Sequence, residues 1–91
     1  MYAVFGRSRL EPDRSDEIKA MATAMVIPMS QAQAGHVTTF LSHNPDFTLG
    51  ASIFVFETKE QAEGFSAAME MPPDSPVHIE SFEVFEVFAH G

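Results

Sequence analysis

Apolar and polar positions along this chain keep switching between two periods, and each switch marks an element. Tyr2 to Arg9 (YAVFGRSR) is an apolar run that turns polar and stops at Glu11-Pro12-Asp13, which reads as a first strand. Asp13 to Ser15 then offers N-cap oxygens, and Asp16 and Glu17 put negative charge in the first helical turn, where the helix dipole favours it. Ile18, Met21, Ala22, Met25, Val26 and Met29 recur at three and four residues as one apolar helical stripe. Pro28 has no N–H to give to the helix, so a kink or an end is expected near Ile27, and Gly35 closes the segment.

The period then shortens to two. His36 to His43 (HVTTFLSH) is a second strand, Asn44-Pro45-Asp46 is turn chemistry, and Gly50 opens a second extended run. Ala51 to Thr58 (ASIFVFET) is the clearest strand, and it should pair with the second as a hairpin. Thr58 and Gln61 fit a capping box, after which Ala62, Phe65 and Met69 mark the buried face of a second helix. Met71-Pro72-Pro73-Asp74 stops that helix, and Val77 to Phe88 is a long final strand. The order β-α-β-β-α-β predicts one α+β domain over residues 1–91. It is a ferredoxin-like fold: an antiparallel four-stranded sheet of order 4-1-3-2 with two helices on one face.

A sheet covered on one face should alternate apolar-in with polar-out. These strands do not: Ile53 and Val55 oppose Phe54 and Phe56, and the last strand is apolar on both sides, which suggests a bulge near Ser81. Seven of the nine phenylalanines (5, 40, 54, 56, 82, 85 and 88) lie in the predicted strands. Leaving one such ring in water forgoes roughly 1.5–3 kcal/mol. Several together rival the roughly 5–15 kcal/mol stability of a domain. The uncovered face therefore predicts a partner, and a second copy of the chain is the simplest one.

Composition narrows the chemistry. Asp and Glu number 13 against 5 Lys and Arg, a net charge of −8, which repels nucleic acid and anionic lipid. Cysteine is absent, so disulfides, thiolate metal sites and a cysteine nucleophile are excluded, and a reducing cytoplasm is the expected setting. No apolar stretch approaches the roughly 20 residues of a membrane helix.

Few residues offer themselves for catalysis. His36, His43, His78 and His90 carry the side chain best suited to moving a proton near neutral pH. His36 and His43 stand seven apart on one strand, so strict alternation sends them to opposite faces and denies them a shared metal. Arg7, on the face of Ala3 and Phe5, has two uses open to it. It can orient an anionic ligand through forked hydrogen bonds, or it can pair with Glu57, Glu83 or Glu86, the commoner fate of an arginine among acidic strands. Phe5, Phe54, Phe56 and Phe82 can line a pocket for a flat apolar ligand or fill an interface. His78 and Glu80 share a face but are too few to make a metal site, and no carboxylate pair, glycine-rich phosphate loop or Ser-His-Asp order is present.

The run YAVFGRSRLEPDRSDE, the proline-bearing helix leading through Gly35 in VIPMSQAQAGHVTTFLS, and SIFVFETKEQAEGF followed by EVFEVFA cover essentially the whole chain. Together they resemble the dimeric α+β barrel superfamily, above all its antibiotic-biosynthesis monooxygenase-like domains. The resemblance implies a homodimer with sheets back to back and a cavity between sheet and helices in each subunit. It also implies a small hydrophobic or aromatic ligand, and an activity such as cofactor-independent oxidation of a phenol or quinol. On that reading His36 or His43 is the base, Arg7 steadies the anion, and no cofactor is needed; a non-catalytic binding module is the alternative. The haem-degrading branch uses a tryptophan with asparagine and histidine. This chain has no Trp, and its single Asn, Asn44, falls in a turn.

Overall fold

A computed structural model describes residues 1–91. Strand β1 (Tyr2–Leu10) lies at the centre of a four-stranded antiparallel sheet with β2 (His36–His43), β3 (Leu49–Phe56) and β4 (Val77–Glu86), in the order β2-β3-β1-β4. This is the expected 4-1-3-2 arrangement read from the other edge. Helices α1 (Ser15–Met21) and α2 (Ile27–Gln31) follow β1, and α3 (Lys59–Ala68) follows β3. No helix is long and apolar enough to cross a membrane.

The expected side-chain cap at the start of α1 does not form. Pro12 sits in the first turn of a 3₁₀ segment, Pro12–Arg14, and the Ser15 N–H is satisfied by the Pro12 carbonyl instead. Arg14 takes over the polar closure through two bonds to the Glu17 carboxylate, at 2.7 and 2.8 Å. Pro28 does not end the helix. Its disturbance falls ahead of it as a π-helical turn, Ala22–Val26, where the Ile27 N–H reaches five residues back to the Ala22 carbonyl. A proline ring presses on the carbonyl four residues before it, here Ala24, and the wider turn makes room. The ladder resumes when the Ala32 N–H meets the Pro28 carbonyl, 3.1 Å away.

Helix α3 begins as expected: the Gln61 N–H donates to Thr58 Oγ1, and Gln61 Oε1 accepts from the Thr58 N–H. Gly35 holds φ at 77°, and a Cβ there would collide with the same Gln61 side chain. The link into β2 and the cap of α3 are therefore one packing unit.

Two register shifts set which side chains share a face. On β4 the register slips opposite Arg7 and Ser8, leaving Glu80 as the extra residue beside Ser81, the bulge that the double-sided apolar pattern required. On β2 a second slip falls between His36 and Thr38, with Val37 as the extra residue.

The core lies between the sheet and α3, where Val4, Phe54, Phe56, Ala62 and Phe65 are buried together. The Phe65 ring stands 4.6 Å from that of Phe54 and 5.2 Å from that of Phe56, centroid to centroid. The opposite sheet face has no helix over it. Phe5, Phe40, Leu49 and Phe85 remain 41, 61, 45 and 49 % exposed there.

Candidate functional site

Along the helix-covered face the side chains shrink toward the α1 end. Phe54 and Phe56 give way on β3 to Ser52 and Gly50, and Val4 gives way on β1 to Gly6 and Ser8. Phe82 from β4 lies across Gly6, where any Cβ would strike its ring. Nothing of similar bulk fills the space over Ser8, Ser52 and Gly50. A cavity of about 170 Å³ results, roofed by Ile18, Met21, Ala22 and Val26 and walled by Leu41, Phe54, Met69 and Phe82. Fourteen of its 20 lining residues are hydrophobic, so water has few partners inside.

The cavity meets solvent at Lys19 and His43, two exposed side chains of its lining. The buried Phe47 ring stands between them: the His43 ring is 4.1 Å from it, and Lys19 Nζ lies 5.6 Å from its centre, within cation–π range. A loop from Asn44 to Leu49 fixes Phe47. Asn44 Oδ1 accepts from the N–H groups of Thr48 and Leu49, both at 2.9 Å, and the Phe47 N–H reaches the Asn44 carbonyl. Thr48 Oγ1 donates to Asp46 Oδ1 at 2.6 Å, and this bond holds the Asp46 carboxyl below its ordinary value of 3.8. Asn44-Pro45-Asp46 is readable as a turn, but nothing in its sequence announces that the next phenylalanine closes a cavity.

The residues singled out from the sequence scatter over this geometry. His36 and His43 share the helix-covered face, contrary to strict alternation, because the bulge at Val37 shifts the first of them by one. They still stand at opposite ends of β2, seven steps of about 3.3 Å apart, and meet no common ligand. No group of three or more His, Cys, Asp or Glu lies close enough to hold a metal.

Their hydrogen bonds differ in kind. Ser30 is fully buried and donates to the Ile27 carbonyl, so its contact with Thr39 Oγ1 at 2.9 Å must take the threonine proton. Thr39 then has only a lone pair for His36 Nε2, 2.7 Å away, and that nitrogen must be the one bearing hydrogen. His36 thus anchors α2 to β2. His43 is arranged the other way: Nδ1 faces the Asn44 carbonyl at 2.7 Å and must donate, leaving the lone pair of the neutral ring on Nε2.

Arg7 lies on the uncovered face, opposite Ala51 and Ser81, and is exposed. It makes none of the expected ion pairs. Glu86 points to the other side of the sheet and accepts from the Tyr2 hydroxyl, raising that phenol above its ordinary value of 10.0. Glu57 lies beyond the far end of β3, and Glu83 is farther than 4.0 Å. Arg7 instead joins Phe5, Leu49 and Phe85 around an open groove of about 920 Å³ on that face.

The four candidate phenylalanines divide as well. Phe54 and Phe82 line the cavity, Phe56 is sealed in the core, and Phe5 stands on the opposite face, edge-on to Phe85 at 5.2 Å. The cavity therefore brings together His43, Phe54 and Phe82, with Lys19 and Phe47 added, and leaves Arg7, His36, Phe5 and Phe56 outside.

No protein-family model matches the chain, and a comparison with curated proteins returns no match. Two solved structures share its fold over nearly their whole length. Rv0793 from Mycobacterium tuberculosis is 17% identical with a TM-score of 0.60, covering 98% of this chain and 96% of its own. NE2512 from Nitrosomonas europaea, a protein of unknown function, is 16% identical with a TM-score of 0.65, covering 99% and 91%. At such identities the likeness establishes a shared small α+β fold of four antiparallel strands and two helices.

Proposed function

We propose that this protein binds a small apolar or aromatic molecule in the cavity between the sheet and α1. The observation that carries the reading is the cavity itself, about 170 Å³ and mostly apolar. An apolar cavity of about 150 Å³ stays dry and accepts one benzene ring. The natural occupant is therefore a single ring or a short chain. Titration with phenol and toluene, followed by amide chemical shifts, should move Met21, Ala22 and Phe47. Ala22→Leu, which fills the roof, should abolish the response. Binding undiminished in Ala22→Leu removes the reading.

A catalytic version has one specific support, the His43 tautomer. An Nε2 lone pair beside an apolar cavity is what a base needs to take a phenol or quinol proton, after which the anion can react with molecular oxygen. It accords with the resemblance to antibiotic-biosynthesis monooxygenase-like domains. In this version His43 acts alone, because His36 Nε2 is a donor and Arg7 is on the far side of the sheet. Oxygen uptake with a hydroquinone series, lost in His43→Gln, is the expected result; no uptake from any of them leaves a binding module.

We also propose a homodimer in the cytoplasm, built on the uncovered face. Phe5, Phe40 and Phe85 each forgo roughly 1.5–3 kcal/mol by remaining in water, and a second copy recovers it. Arg7 and Glu83, unpaired in one chain, are then free to pair between chains. Sedimentation should give a dimer for the native chain and a folded monomer for Phe40→Asp. A native monomer at micromolar concentration rejects the proposal.

A further inference from the structure

The mouth of the cavity shows what kind of molecule belongs inside. We infer that the ligand is a small carboxylate with an apolar body, its charged head held at Lys19 and its body lying toward Phe54 and Phe82. This deepens the binding reading above and rests on it.

Three observations converge. The first is charge. In a chain of net charge −8, Arg9 and Arg14 are ion-paired while Arg7, Lys19 and Lys59 are not, and of these three only Lys19 lines the cavity. Lys19 makes no ion pair, although Asp16 and Glu17 precede it on the same helix. Glu17 is already held by Nε and Nη2 of Arg14, and Asp46, next to Phe47, is turned into its own loop by Thr48. The ammonium is left over an aromatic face at the cavity mouth, available to an incoming anion.

The second is backbone strain. Phe47 holds φ at 60°, the left-handed region that a bulky side chain rarely enters. Glycine or asparagine would make the same turn without cost, so the aromatic ring is what the position requires. The braces from Asn44 keep it there, buried, with the Lys19 ammonium over one part of the ring and the His43 ring beside it. Phe47 is thus a rigid wall that sets where the cation stands.

The third is the contrast between mouth and interior. Lys19 is the one full positive charge in the lining, and the deep walls are Leu41, Val26, Phe54 and Phe82. A molecule uniform in polarity suits only part of that surface. One with a charged end and an apolar end suits all of it.

The test uses benzoate and its neutral isostere benzamide, titrated into the full chain at low ionic strength with amide shifts as readout. Benzoate should bind about fivefold more tightly, the most that one exposed charge pair supplies. The preference should shrink with added salt. Lys19→Gln should bring the two within about twofold of each other, while Lys19→Arg keeps the difference. Phe47→Gly, in which relief of the strained backbone offsets part of the lost burial, should weaken both probes and erase the preference by freeing Lys19. Equal binding of the two probes by the native chain, or a preference that survives Lys19→Gln, overturns the carboxylate assignment while leaving the cavity reading intact. If neither probe binds, or both bind Ala22→Leu undiminished, the cavity reading falls and takes this inference with it.

Discussion

The helix-covered side of the sheet has two ends built from the same strands, and they were filled in opposite ways. Under α3, Phe54, Phe56 and Phe65 interlock with Val4 and Ala62, and every one of them is buried. Under α1, the strands present Ser8, Gly50 and Ser52, the helix presents Ile18, Met21, Ala22 and Val26, and a cavity remains. The difference lies in side-chain size along β1 and β3, because the backbone pairing is continuous from one end to the other. Packing to full density secures the fold at one end. Leaving density out at the other creates a mostly apolar space where a small molecule can be held.

That contrast is open to direct attack. Phe65→Ala empties the filled end and should cost about 3–5 kcal/mol in urea unfolding, whereas Met21→Ala, at the edge of a space already empty, should cost about 2 kcal/mol less than that. Equal losses at the two ends would mean that the α1 end is as tightly packed in solution as the α3 end. Gly35→Ala attacks the join between them. It forces a Cβ into the left-handed region and into the Gln61 side chain, and should cost about 1–3 kcal/mol while also loosening the α3 cap, visible as faster amide exchange at Gln61. A neutral result would show that the cap and the link to β2 move independently.

The smallest effect concerns pH at the α1 end. The Arg14 guanidinium, chiefly by hydrogen bonding, holds the Glu17 carboxyl below its ordinary value of 4.5. A lowered folded-state value means that the pair's contribution is complete above about pH 4.5 and is lost as pH falls through the folded value. Glu17→Gln should therefore lower stability slightly at neutral pH and leave it unchanged at the acid end, where the native chain has already lost the pair. The pair is at the surface, so the difference between the two pH–stability curves should be small and should fade with salt. A difference that grows toward low pH would contradict the sign.

Much of this architecture was legible in advance because it rests on local rules. The capping box at Thr58 and Gln61, the glycine at 35 and the hairpin of β2 with β3 are each specified by neighbours within a few residues. Even the bulge beside Ser81 could be read, since apolar residues on both sides of β4 fit no regular alternation. Of the two outcomes open at Pro28, a kink or an end near Ile27, the end does not occur: a π-helical turn absorbs the proline, and sequence spacing does not distinguish that outcome from a break.

The candidate site was much less legible. Alternation put His36 and His43 on opposite faces, yet a single extra residue at Val37, with no mark in the sequence, turned His36 to the other side. Arg7 has the chemistry of an anion site, but its face of the sheet is the one without helices. Nothing in the sequence marks Lys19, one lysine on an acidic helix, or Phe47, a loop phenylalanine. Only a positive φ and a folded loop bring the two together.

Sequence alone therefore determined the order of elements, the sheet topology and the surplus of apolar side chains on both sheet faces, because periodicity, capping and turn chemistry act over a few residues. Tertiary structure decided where the empty space lies, which histidine keeps a free lone pair and which unpaired cation stands at the cavity. Those properties depend on groups far apart in the chain, whose volumes, protons and charges can be balanced only once the strands and helices are packed against one another.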